Sequence, residues 1–229
     1  MPSLIWKEWH EQSWKLGFGC VVLVAMAVIG LRSRIIADDS MIAWVCFLGM
    51  VLLPVLSASG LVPAERSEGS FASLLALPVS RWRILAAKTA MGLVLCAGPM
   101  IAAALGSLLV AGGREMTSAQ MLALYARSTA SGILLFIWML ALTIRLPNET
   151  RASLLGIGVL IFWIVATLGL AYQSVPPLAM TVSPLALVYG FFNDIAGGPP
   201  LIGVLAAQIA IAIVSWWWAS RQIAAEDRS

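Results

Sequence analysis

The sequence has few charged residues and almost no histidine or cysteine. Only 11% of its 229 residues are charged, whereas about a quarter are charged in an ordinary soluble domain. Sixty-one per cent are apolar and the mean hydropathy is +0.94, so an integral membrane protein is predicted. Because each membrane span needs roughly 20 apolar residues, the chain has room for about six spans with short loops and for no separate soluble domain.

Residue types that carry common membrane chemistry are missing. His10 is the only histidine, so a histidine-based metal site or Ser-His hydrolysis within the membrane has no candidate. No carboxylate lies in the core of an apolar run, which argues against a proton-coupled carrier, and no P-loop motif occurs. We therefore predict no catalytic, cofactor-binding or metal-binding residue on this chain, and we expect a partner protein to supply any energy source.

The cysteines and the net charge exclude two further classes of function. Cys20, Cys46 and Cys96 all lie in apolar runs without the spacing of a metal or redox motif, so they are interpreted as small core residues. The net charge of +3 is small and the basic residues stand at the ends of the apolar runs. Basic residues in these positions set the orientation of the chain in the membrane and contact anionic lipid. They do not indicate a nucleic-acid partner.

Six apolar runs predict an all-α integral membrane protein with a single transmembrane domain over residues 1–229. The predicted spans are about 16–35, 41–62, 88–111, 121–144, 152–172 and 200–219. In the fourth run, an alternative is a surface helix over 117–127 with the span starting near 128. Arg127 is then either a functional charge inside the membrane or a residue that reaches to the headgroups. A short helix over 184–192 is predicted in the last external loop.

The segment 3–16 is predicted to be an interfacial helix. Trp6 and Trp9 favour the headgroup level and Lys7 and Glu8 favour water. The alternative is that this segment is a polar extension of the first span.

Lysine and arginine residues are distributed unevenly between alternate connections. Ten lie on one side of the membrane and four on the other; the ten are Lys7, Lys15, Arg66, Arg81, Arg83, Lys88, Arg145, Arg151, Arg221 and Arg228, and the four are Arg32, Arg34, Arg114 and Arg127. Because positive residues concentrate on the cytoplasmic side, both termini and the connection between spans 2 and 3 are predicted to be cytoplasmic.

That connection, Pro63–Lys88, is the longest charged interval between two apolar runs. Residues 70–77 are predicted to form a short cytoplasmic helix that Pro78 ends. Its apolar side chains exceed what a solvated loop needs, which indicates a docking element. The predicted docking residues are Glu65, Glu68, Phe71, Leu74, Leu75, Leu77, Pro78 and Arg81. The alternative is a helix that lies on lipid headgroups or packs under the bundle.

Two stretches resemble the permease subunits of ABC exporters of the second type. They are Leu4-Ile5-Trp6-Lys7-Glu8-Trp9 and Glu65-Arg-Ser-Glu-Gly-Ser-Phe-Ala-Ser-Leu-Leu-Ala-Leu-Pro-Val-Ser-Arg81. Members of that family typically show an Arg/Lys-Glu opening and a Glu-x-x-x-Gly-(Ser/Thr)-x-x-x-Leu-Leu-(Ser/Ala)-Leu-Pro-(Val/Ile)-Ser-Arg stretch between spans 2 and 3. The last external loop is short, which departs from members that carry an added external domain.

The resemblance implies that 70–77 is a coupling helix seated on a separate ABC-type ATPase and that 3–16 is the connecting helix beside it. It also implies two ATPase copies that bind ATP and Mg²⁺, a second copy of this permease or a homologous one, and a place in the cell (inner or plasma) membrane. The abundant Leu, Val, Ala and Met favour an apolar or amphipathic exported substrate. Two alternatives are a haem-exporter-type permease and a non-transporting membrane assembly or immunity protein.

Overall fold

The described part of the chain folds almost entirely into α-helices. The computed structural model describes residues 2–33, 37–71, 79–110, 117–172 and 201–225. The helices are α1 (Pro2–Ser33), α2 (Asp38–Leu61), α3 (Pro63–Ser67), α4 (Arg81–Val110), α5 (Ser118–Thr143), α6 (Glu149–Tyr172) and α7 (Leu201–Ala225). All except the short α3 are long and apolar enough to cross a membrane. The prediction of an all-α membrane protein with six spans is therefore confirmed.

Two predicted boundaries fall inside continuous helices. α1 continues through residue 16, and its 32 residues extend about 48 Å, which exceeds the roughly 30 Å of bilayer hydrocarbon. This continuity favours a polar extension of the first span, while the placement of 3–16 at the interface stays a prediction. α5 runs unbroken from Ser118, where Thr117 and Gln120 form a reciprocal capping box. The segment 117–127 and the fourth span therefore belong to one helix.

α2, α4 and α5 form the centre of the bundle. α1 packs mainly along α4, α2 packs along α5, and α6 and α7 lie on the outside. At the contact of α4 with α5, a Cβ on Gly92 would clash with the ring of Phe136, which is fully buried. Gly92 is thus what lets these two helices approach closely.

Helix α2 contains a proline that its neighbour accommodates. Pro54 lies inside α2, and because proline has no N–H, the carbonyl of Met50 loses its usual donor. Gly132 of α5 lies against this position: a Cβ there would be 3.6 Å from the Met50 oxygen and 3.7 Å from Pro54 Cγ. The backbone of α5 thus covers the irregular point of α2, as the absence of water in a bilayer requires.

Several helix ends meet at one end of the bundle, here called the charged end. It contains the starts of α1, α4 and α6 and the ends of α2 and α7. The described residues nearest both termini therefore lie at the same end as α3. The assignment of this end to the cytoplasm stays a prediction from the lysine and arginine distribution. The predicted external helix 184–192 and four predicted docking residues, Leu74, Leu75, Leu77 and Pro78, lie outside the described residues.

Candidate functional site

α3 leads from α2 into the segment predicted to dock a partner. Pro63 is its first residue, where the missing N–H leaves no helical bond unmade. The chain turns at Gly69, whose φ of +75° is a left-handed conformation that glycine adopts without steric cost. The Gly69 N–H donates to the Arg66 carbonyl at 3.2 Å, and the Ser70 hydroxyl donates to the Glu65 carbonyl at 3.3 Å. These bonds give Glu65 a defined position just before the turn.

Lys88 is the centre of the site. It lies about two turns into α4 on the same buried side as Ile84, and its side chain is only 1% exposed. Its Nζ donates to Glu8 Oε1 at 2.8 Å and to the Leu61 carbonyl at 3.0 Å, and it forms an ion pair with Glu65 Oε2 at 2.8 Å. One ammonium group therefore joins α1, α3, α4 and the end of α2.

The last turn of α2 is capped by side chains from its neighbours. The last carbonyls of a helix have no donor within the helix. Lys88 donates a hydrogen bond to the Leu61 carbonyl, and Gln12 Nε2 of α1 approaches the Gly60 carbonyl at 3.5 Å. Lys15 also lies over Gly60, since a Cβ there would be 2.7 Å from its Nζ. Positive groups at this position also interact favourably with the negative end of the helix dipole.

Lys7 extends the site towards the surface. Its Nζ lies 3.2 Å from Glu65 Oε1 and 3.5 Å from Glu11 Oε1. Together Lys7, Glu8, Glu11, Glu65 and Lys88 form what we call the ion cluster. Ligand atoms of its three glutamates lie within 4.8 Å of one another, close enough to share a metal ion. The two ammonium groups contact all three carboxylates, so two of the three negative charges are balanced within the cluster.

Burial makes the ion cluster sensitive to the loss of any central member. The side chains of Lys88, Glu8 and Glu65 are 1%, 2% and 8% exposed. Removing one partner of such a buried pair leaves an uncompensated charge and costs about 3–5 kcal/mol. The second oxygen of Glu8 is buried and has no hydrogen-bond partner among the described residues. The cluster thus stabilises one arrangement of three helices and penalises others.

The four residues predicted for the N-terminal helix divide between two sides of α1. Trp6 and Trp9 are exposed, whereas Glu8 is buried and Lys7 points towards Glu65. In a soluble protein the tryptophans would face inward. The observed arrangement is the one expected where the outer surface of a bundle adjoins lipid, because aromatic side chains can then face outward while the charges pair inside the protein.

The predicted docking residues within the described ranges lie in different surroundings. Glu65 belongs to the ion cluster, and Glu68 is exposed. Phe71 is 4% exposed and packs in the core with the Arg66 guanidinium 4.8 Å from its ring, so its ring is not on the outer surface. Arg81 donates to the Ile223 carbonyl of α7 at 2.8 Å.

Arg127 is half-buried on α5. It has a partner in the structure, and its role stays a prediction.

Sequence reasoning missed the importance of Lys88, which it used only for orientation. The signal was its spacing: Lys88 follows Ile84 by four residues, on the side of α4 that continues with Met91 and Leu95. A lysine on an otherwise apolar helical side is expected to have a specific partner inside the protein. The partners themselves are 80 and 23 residues away in the sequence, at Glu8 and Glu65.

The family comparison covers this site. A family model described as "ABC-2 family transporter protein" matches residues 6–169. The matched range includes α2 to α5 and all five residues of the ion cluster. No curated protein matches the chain in a sequence search.

Proposed function

The chain belongs to the ABC-2 transporter family, and from this premise we propose that it is the membrane subunit of an ATP-driven exporter. A separate ABC-type ATPase docks on the segment that follows α3, and ATP hydrolysis takes place on that partner. Membership of the family supports the transport interpretation over a non-transporting assembly or immunity protein. It also agrees with the absence of a P-loop from the sequence.

The proposed assembly contains two ATPase subunits, which bind ATP and Mg²⁺, and two permease subunits, either two copies of this chain or this chain with a homologue. The permease lies in the cell membrane with its charged end in the cytoplasm. The concentration of lysine and arginine in the connections at this end supports that orientation. The largely apolar spans support an apolar or amphipathic substrate, which moves outward.

The observation that carries the proposal is the bonding of Glu65 to both Lys88 and Lys7. Residues 70–77 begin directly after the Gly69 turn, so a partner that displaces this segment pulls on α3. Because the Glu65 carboxylate is paired with α4 and α1, these helices move with α3. Transport requires two packings that differ by only a few kcal/mol, and ATP binding chooses between them. The ion cluster provides a connection from the docked segment to two spanning helices.

The decisive experiment changes Leu74, a predicted docking residue on 70–77. A carboxylate in an apolar docking surface must be desolvated, so Leu74→Asp should abolish co-purification of the ATPase encoded beside the permease. Arg145→Ala is the matched control, because Arg145 is exposed in the predicted second cytoplasmic connection, and it should retain the ATPase. Size-exclusion chromatography in detergent checks that both variants fold. Unchanged co-purification of a folded Leu74→Asp permease would remove the docking assignment.

A further inference from the structure

A cavity opens at the charged end where the first turns of α4 meet the last turns of α7. It has a volume of about 260 Å³ and is lined by Arg81, Trp82, Leu85, Ser220, Arg221 and Ile223. None of these six residues is acidic, and two are arginines. The cavity lies apart from the ion cluster, and Arg81 is the one lining residue that is also a predicted docking residue.

The positive charge of the cavity comes from its two guanidinium groups. Arg81 donates to the Ile223 carbonyl at 2.8 Å, which satisfies a carbonyl in the last turn of α7 and fixes the arginine at the cavity wall. Arg221 lies 3.9 Å from the centre of the Trp217 ring, which positions it by a cation–π contact. The start of α4 and the end of α7 bring opposite dipole ends together. The helix dipoles therefore offset each other, and the two arginines make the electrostatic potential of the cavity positive.

Trp82 lines the cavity, and three further tryptophans precede the lining residues of α7 in the sequence. The rings of Trp82 and Trp216 are 4.0 Å apart, and Trp216 Nε1 donates to Thr89 Oγ1 at 3.1 Å. Trp217 and Trp218 are exposed on α7. Indole rings concentrate at the level of the lipid headgroups, so the cavity stands at that level.

An apolar surface continues from the tryptophans into the membrane region. Ile213 and Val214 lie about one turn before the tryptophans on α7, and each is 63% exposed. Such a surface accommodates an acyl chain beside a headgroup held at the cavity.

We propose that this cavity binds the phosphate group of an anionic membrane phospholipid. The planar, multidentate guanidinium of arginine matches phosphate oxygens, and basic pockets between membrane helices are suited to anionic headgroups. Ser220, which carries a hydroxyl group, also lines the cavity. The lipid links the start of α4, next to the docking segment, to the end of α7.

The test uses the full-length permease in detergent and compares retention of phosphatidylglycerol with retention of phosphatidylcholine by native mass spectrometry. Arg221→Gln is the decisive variant, because Arg221 is exposed and its loss leaves the Arg81 bond to α7 intact. Each arginine near an anionic lipid surface contributes about fivefold to binding. We therefore expect Arg221→Gln to retain phosphatidylglycerol about fivefold more weakly, and Arg81→Gln with Arg221→Gln more weakly still.

Arg83→Gln is the matched control. Arg83 is exposed in the same first turn of α4 but does not line the cavity, so this variant should retain the lipid as the wild type does. Equal losses in Arg83→Gln and Arg221→Gln, or equal retention of the two lipids by the wild type, would overturn the proposal in favour of general surface attraction. Inorganic phosphate that displaced phosphatidylglycerol at matched concentration would identify a free anion as the ligand and likewise overturn it.

Discussion

Helix α4 carries two buried polar sites that differ in chemistry. Lys88, near its start, belongs to the ion cluster, whereas Ser107, near its end, lies 2.8 Å from the hydroxyl of Tyr125 on α5. Both residues are at most 1% exposed. About 28 Å of helix separates them, at 1.5 Å per residue. One helix thus contacts its neighbours through full charges at one end and through a neutral hydroxyl pair at the other.

The difference shows where the bundle is held most strictly. Lys88 joins its own helix to three others through two carboxylates and a carbonyl, and loss of the lysine or of a carboxylate leaves a buried charge without that partner. The Ser107–Tyr125 pair joins two helices, and its loss leaves only an unpaired hydroxyl. We therefore expect the charged end, where we propose that the ATPase acts, to move as a unit. The opposite end of α4 is free of such a constraint among the described residues.

The largest effect that this comparison predicts is on Lys88→Met, which keeps much of the side-chain volume and removes the charge. Glu8 and Glu65 then stay buried without their shared cation, so the free energy of unfolding should fall by about 3–5 kcal/mol. Reversible denaturation in mixed detergent micelles measures this change. The triple variant Glu8→Gln, Glu65→Gln, Lys88→Met has no unpaired buried charge and should recover part of the loss. If the single variant lies within about 1 kcal/mol of wild type, the ion cluster does not have the energetic role assigned here.

A smaller effect on stability, with a separate effect on coupling, is expected for Glu65→Gln. The amide keeps the shape of the side chain, and Lys88 keeps Glu8 as a charged partner. Only the charge-assisted contacts of Glu65 are replaced by weaker ones, so we expect a loss of about 1.5–3 kcal/mol, below the cost of an uncompensated charge. From the proposed function we also expect that the ATPase still co-purifies with this variant. The variant permease should, however, stimulate ATP hydrolysis less than the wild type does. ATP hydrolysis by the reconstituted complex measures this stimulation.

Arg145→Gln is the control, because it also replaces a charge by an amide, at an exposed residue that belongs neither to the ion cluster nor to the predicted docking residues. It should leave both stability and stimulation unchanged. Full stimulation by the complex with Glu65→Gln would contradict a coupling role for the cluster.

The smallest effect is expected for Tyr125→Phe at the neutral site. One hydroxyl is lost and the Ser107 hydroxyl is left unpaired, so the free energy of unfolding should fall by about 1 kcal/mol. Ser107→Ala should cost a similar amount, and the double variant should cost less than the sum because the two side chains share one bond. If Tyr125→Phe lowered the free energy of unfolding as much as Lys88→Met does, the proposed difference between the two ends of α4 would be wrong.

The spans were predictable because their signal is local. A run of about 20 apolar residues must become a helix in lipid, since every backbone N–H and C=O needs a partner within the segment. The docking role of residues 70–77 stays a prediction from the motif, and the structure places a turn at Gly69 just before this segment. The continuity of α1 was harder to foresee, because a change from polar to apolar residues at Leu16 does not by itself bend a helix.

The direction in which polar side chains point could not be predicted from helical periodicity alone. On α1 the same spacing that separates Trp6 and Trp9 from Glu8 and Gln12 suits either side facing inward. The structure buries Glu8 and Gln12 and exposes the tryptophans. In lipid, apolar side chains are stable on the outer surface as well as in the core. The side of a helix that faces inward is therefore set by the polar partners on the neighbouring helices.

The sequence by itself determined the class and the number of spans, because both depend on neighbouring residues and on the thickness of a bilayer. The tertiary structure decided that Lys88 lies between Glu8 and Glu65 and that the end of α7 meets Arg81. Glu8 is 80 residues from Lys88, and Lys7 is 58 residues from Glu65. These contacts form because antiparallel helices bring distant residues to one end of the bundle, where a buried charge is stable only beside its opposite.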